Sequence, residues 1–145
     1  MHDVAQVFFE DMKEGMTATV SRVLDDAAVR AFATLSGDVN PVHLDDDYAA
    51  ATLFGRRIAH GMLTAALLST VIGTKLPGKG TIYLSQSLRF RRPVFIGDEV
   101  TAEVEVTAID QKRQRVTLAC RCVANGKEVL SGEAVVMPPS RERGA

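Results

Sequence analysis

The segment Gly61 to Ile72 (GMLTAALLSTVI) is apolar on nearly every side of the helix it would form, and this restricts the fold more than any other feature of the chain. A helix lying on a surface keeps one polar face, so a helix without one is expected to be surrounded by protein. The longer stretch Ile58 to Gly73 is below the roughly 20 residues of a membrane span and contains His60, Thr64, Ser69 and Thr70, so no membrane partner is expected. The covering is supplied by four runs that follow, Gly80 to Phe90, Asp98 to Ile109, Arg113 to Ala124 and Lys127 to Met137, each rich in β-branched residues and alternation. Asn125-Gly126 is a strong two-residue hairpin signal and Asp110-Gln111-Lys112 is a short link, so the pairing is predicted to be antiparallel. A long apolar helix against a curved antiparallel sheet is an α+β architecture.

The preceding residues read as supporting elements. Met16 to Val23 alternates as a half-buried strand does, and Leu24-Asp25-Asp26 opens a helix with acids at its positive end. That helix presents Val29, Phe32, Ala33 and Leu35 on one face, and Gly37 is placed to end it. Pro41 lacks an amide donor and pushes Asn40 from helical geometry, so Asp38 to His43 is expected as a rigid loop. A short helix is predicted from Asp45 to about Phe54, with Gly55 beyond its end.

With 145 residues and 46% hydrophobic composition, the chain is expected to form one domain over 1–137, followed by a flexible tail over 138–145 (PPSRERGA) that is too short to pack. Its 17 basic and 18 acidic residues give a net charge of −1, which provides no field for attracting nucleic acid. Cys120 and Cys122 fall on one face of a strand, a poor geometry for a mutual disulfide, and are expected to be reduced. The start has acids and no cationic region before a continuous apolar run, unlike a signal peptide, so the expected location is cytoplasmic. His2 is terminal and carries no information.

Asp38 and His43 lie five residues apart in Ser36-Gly37-Asp38-Val39-Asn40-Pro41-Val42-His43, fixed by glycine and proline. A carboxylate and an imidazole so placed can hold a water between them and move its protons, which is what hydration or dehydration requires. On spacing alone the more economical reading is a turn, with Asp38 and Asn40 bonding to backbone and His43 packing locally.

The residue identities alter that balance. FATLSGDVNPVHLDDDYAA resembles the hydratase signature of the MaoC-like, (R)-specific enoyl-CoA hydratase family, and the similarity continues through Arg57 to Leu63, Leu76 to Phe90 and Arg92 to Val106. The resemblance implies a hot-dog fold, in which a curved sheet wraps a central helix, and a homodimer of two such units. It implies reversible syn hydration of trans-2-enoyl-CoA to the (R)-3-hydroxyacyl-CoA, with Asp38 and His43 as the catalytic pair. Asn40 then braces the loop, and the Gly61 amide at the helix start contacts the thioester carbonyl oxygen as it gains enolate character.

The same resemblance requires no metal and no cofactor, coenzyme A being part of the substrate. Arg89, Arg91 and Arg92 are candidates for its phosphates. Ala66 stands where many relatives carry serine and is a candidate for shaping the acyl pocket. The LPGKGTIYLSQSL segment is most like hydratases that feed polyhydroxyalkanoate synthesis from short acyl chains. Asp45, Asp46 and Asp47 lack the ligand pattern of calcium or zinc sites and suit a solvated helix start. His60, at a helix entry, is expected to cap or pack. A hot-dog thioesterase and a non-catalytic acyl-thioester-binding module are the alternatives.

Overall fold

The computed structural model describes residues 3–143. A 3-10 turn at Phe9–Asp11 precedes β1 (Thr17–Val23), α1 (Asp26–Ser36), α2 (Pro41–Leu44), α3 (Asp46–Ala50) and α4 (Gly61–Thr74). The strands β2 (Ile82–Gln86), β3 (Arg89–Phe90), β4 (Glu99–Asp110), β5 (Arg115–Ala124) and β6 (Lys127–Met137) follow. All pairings are antiparallel, in the order β1-β4-β5-β6-β2, with β3 also on β6.

Alternation along the long strands produces the core. Val100, Ala102, Val104 and Val106 of β4 and Val116, Leu118, Cys120 and Cys122 of β5 all point inward and are buried. Against them lie Leu67, Leu68, Val71 and Ile72 of α4. Full burial of each large aliphatic side chain contributes roughly 1.5–3 kcal/mol before entropy is counted. Both cysteines are free, on the expected common face. Asn125 and Gly126 have φ of 54° and 73°, the left-handed pair that a tight hairpin with correct strand twist requires.

Two irregularities shape the sheet near the site. The Gly80 to Phe90 run divides into β2 and β3 at Ser87, whose carbonyl oxygen lies against Gly132; a Cβ there would sit 1.9 Å from that oxygen. On β6 the register shifts between Cys122 and Val123, so the consecutive residues Val129 and Leu130 are both buried.

Several expectations are corrected. Pro41 does not exclude a helix: it occupies the first turn of α2, where a missing amide costs nothing, and Asn40 caps that turn by accepting from the Val42 amide at 3.2 Å. The chain is broken instead at Gly37, with φ 81°. The helix predicted over 45–54 is only Asp46–Ala50, capped by Asp45. The link after β4 is longer than predicted, since β5 begins at Arg115 and Gln114 adopts φ 56°.

The tail also packs. Ser140 is fully buried, Pro139 accepts from the Phe9 amide at 2.7 Å, and Ser140 Oγ donates to Glu10 at 2.7 Å. Tying this short segment to the N-terminal turn overcomes the lack of an apolar face of its own; residues 144–145, like His2, lie outside the described residues.

Finally, α4 is not covered on every side. Its face with Leu67, Leu68 and Val71 is buried by the sheet, whereas Met62, Ala66, Ser69, Thr70 and Gly73 are exposed. Among the described residues, no helix is long and apolar enough to cross a membrane.

Candidate active site

The local sequence sets Asp38 and His43 on opposite sides of a capped turn. Gly37 closes α1 in a left-handed conformation, and Ser36 Oγ then accepts from the Asp38 amide at 3.1 Å. The Asn40 amide donates to Asp38 Oδ1 at 3.3 Å while its side chain caps α2. Asn40 therefore links the two halves of the turn, the position a bracing residue needs.

His43 is buried, and its Nδ1 lies 2.8 Å from the carbonyl oxygen of Ile58. A carbonyl only accepts, so Nδ1 carries the proton and Nε2 retains the lone pair. Burial is the largest influence on its acidity and holds the pKa below the ordinary 6.5; the Ile58 carbonyl opposes this, neighbouring His60 adds to it, and Asp38 opposes it. His43 is thus disposed to be a neutral proton acceptor.

His60 was read from sequence as a capping or packing residue, and it does pack, with ring centroids 3.9 Å from His43 and 4.8 Å from Phe32. It also belongs to the site. Its Nε2 donates to the Asp38 carbonyl oxygen at 3.0 Å, joining the start of α4 to the Asp38 turn. The signal available in the sequence was its place immediately before Gly61, at the mouth of the apolar helix. One ligand atom from each of Asp38, His43 and His60 lies within 4.8 Å of the others, so among the described residues these, and not Asp45, Asp46 and Asp47, are grouped closely enough to hold a metal.

These residues open onto a cavity of about 520 Å³ with largely apolar walls, including Ile58, Val94, Val129 and Leu130. Gly61 lies at its edge as the first residue of α4, where helix amides have no carbonyl one turn back and the dipole is positive. A Cβ at Gly61 would approach the Phe90 ring to 2.7 Å.

Arg91 and Arg92 also border the cavity, whereas Arg89 does not. Arg91 pairs with Glu128 at 3.2 Å, and Arg92 donates to the Glu128 carbonyl at 2.7 Å. Ala66 does not border this cavity: it is exposed on the far face of α4, and Thr64, two positions earlier and on the buried side, lines the cavity, since residues two apart on a helix do not share a face. Arg57, not singled out from sequence, is buried against the His43 turn.

Comparison with known proteins identifies the family and the fold. The family described as "MaoC like domain" matches residues 8–127. A protein of Rhodospirillum rubrum named (R)-specific enoyl-CoA hydratase is 48% identical over 139 residues, covering 96% of each chain. The solved structure of an (R)-hydratase from A. caviae, described as involved in PHA biosynthesis, has a TM-score of 0.88 at 51% identity and covers 90% of this chain and 99% of that one. An unliganded R-hydratase structure from Pseudomonas aeruginosa has a TM-score of 0.90 at 46% identity, covering 95% of this chain and 89% of that one. The sheet curved over α4 is the hot-dog fold, and the chain belongs to the MaoC-like family.

Proposed function

We propose that the protein is an (R)-specific enoyl-CoA hydratase, adding water reversibly and syn across the double bond of a trans-2-enoyl-CoA. The observation that carries this reading is the placement of Asp38 and a neutral His43 on one capped turn at the mouth of an apolar cavity. Water bound between them gives one proton to His43 Nε2 as its oxygen bonds to C3, while Asp38 accepts a hydrogen bond from the other O–H. Electron density moves to the thioester oxygen, which the Gly61 amide stabilises as an enolate. The imidazolium, supported by Asp38 and the Ile58 carbonyl, returns the proton to C2 on the same face. The two groups act as one coupled unit. No step requires a metal or cofactor.

A contact of Arg91 and Arg92 with the coenzyme A phosphates, in exchange for their Glu128 partners, is supported by their position at the cavity rim. A supply role in polyhydroxyalkanoate synthesis is supported by the A. caviae relative's description, and a short acyl chain by the name of a 47% identical protein of Methylorubrum extorquens, 3-hydroxybutyryl-CoA dehydratase. A homodimer is supported by two uncovered apolar surfaces: the Met62 side of α4, and the edge strand β2 with Ile82, Tyr83 and Leu84 exposed. Such a partner would also cover Ala66. The reduced, buried cysteines suit a cytoplasmic enzyme.

The test is incubation with crotonyl-CoA. Loss of the conjugated thioester absorbance with formation of the (R)-3-hydroxy product is expected. Release of free coenzyme A without hydration would indicate a thioesterase, and no turnover a binding module.

A further inference from the structure

Arg57 lies between α3 and α4, is 9% exposed and does not line the cavity, yet its guanidinium is directed at the turn that carries His43. Its Nε donates to the His43 carbonyl oxygen at 2.7 Å, and its Nη2 donates to Asp26 Oδ1 at 2.6 Å. Its Nη1 lies 3.9 Å from Asp46. A guanidinium withdrawn from water this far persists only where its donors are satisfied and its charge is balanced. Asp26, in the first turn of α1, provides that balance and is itself held by Arg30 at 2.9 Å.

The carbonyl that Arg57 binds belongs to α2, a single turn whose carbonyls have few partners further along the chain. The neighbouring Ile58 completes the arrangement: its amide donates to the Val42 carbonyl at 3.2 Å, and its carbonyl accepts from His43 Nδ1 at 2.8 Å. Two consecutive residues thus hold two others at three points, of which two are backbone oxygens and one is the imidazole. Ile58 orients the ring, while Arg57 anchors the backbone from which the ring projects.

We propose that Arg57 is a positioning residue for hydration, fixing the main chain of His43 so that Nε2 is held where water is activated. The inference rests on His43 as the proton acceptor. Without the Nε bond, α2 loses its anchor to α1 and the ring is left with its contacts to Ile58 and His60 while its backbone can shift; misplacement by about 1 Å costs roughly 10²-fold in rate. Because Arg57 is outside the cavity, the loss falls on kcat and leaves KM nearly unchanged.

Arg57→Gln and Arg57→Lys, assayed with crotonyl-CoA and by NMR of imidazole N–H protons, test this; the chain has three histidines, which makes assignment tractable. For Arg57→Gln, kcat should fall roughly 10- to 100-fold with KM within about threefold, and the protected His43 Nδ1 proton should broaden or vanish. Arg57→Lys keeps the charge but has one nitrogen for two partners, so its loss should be intermediate. Asp26→Asn should act in the same direction, more weakly. Rates within about threefold of wild type for both Arg57 variants would overturn the inference, as would a rate loss that only tracks lowered Tm. His43→Gln assayed alongside separates the two readings. If it stays active, the role of His43 fails; if it is inactive while both Arg57 variants are fully active, only the role of Arg57 fails.

Discussion

The imidazole of His43 lies against that of His60, with ring centroids 3.9 Å apart and planes inclined by 28°. Positive charge on two rings stacked so closely and out of water would repel, so the neighbouring His60 disfavours protonation of His43. Burial is the larger influence, and with this smaller repulsion it holds the His43 pKa below its ordinary 6.5 against the opposing Ile58 carbonyl and Asp38.

The acid limb of kcat/KM should therefore lie below pH 6.5. The same shift is a stability statement: the unfolded chain takes up the proton at higher pH than the folded one. The contribution of His43 is fully present above 6.5 and is lost as pH falls through its depressed folded value. Rate profiles across this range provide the check, and an acid limb above 6.5 would contradict the environment assigned to His43.

Gly61→Ala should reduce kcat/KM by roughly 10-fold or more, since its Cβ displaces the Phe90 ring and narrows the approach to the helix amides. Phe90 is about half exposed and can swing outward, so unfolding by denaturant should change little. An unaltered kcat/KM would remove Gly61 from the thioester site.

Light scattering across concentration should show a dimer, and Met62→Glu should weaken it by placing charge on the uncovered side of α4. In a dimer that covers this side of α4, Ala66 would lie under the partner, and Ala66→Ser should then alter the chain-length profile. A fully active monomer at every concentration would contradict the assembly.

Much of this fold is local in origin and was therefore legible in the chain. Asn125-Gly126 needs nothing beyond its own two residues to set a hairpin, and the alternation of Val100 to Val106 specifies which side faces the core. What was not legible depends on distant partners. Arg57 bonds residues 31 and 14 positions away, so no spacing rule marks it. The tail around Ser140 is held by Glu10 from the other end of the chain. Pro41 was misread because the same residue breaks a helix from inside and starts one from its first turn. Asp38 and His43 are singled out by residue identity; their spacing alone fits an ordinary turn, and the contacts that surround the His43 ring come from Ile58 and His60, outside the motif.

In the proposed hydration Asp38 and His43 act together on one water. Asp38→Asn and His43→Gln preserve size and much of the turn's hydrogen bonding, so folding and dimerisation should stay near wild type. Steady-state hydration of crotonyl-CoA by each folded variant is the direct measurement. A loss of roughly 10²- to 10⁴-fold is expected for either substitution, and rates within a few-fold of wild type for both would contradict a shared role for the pair.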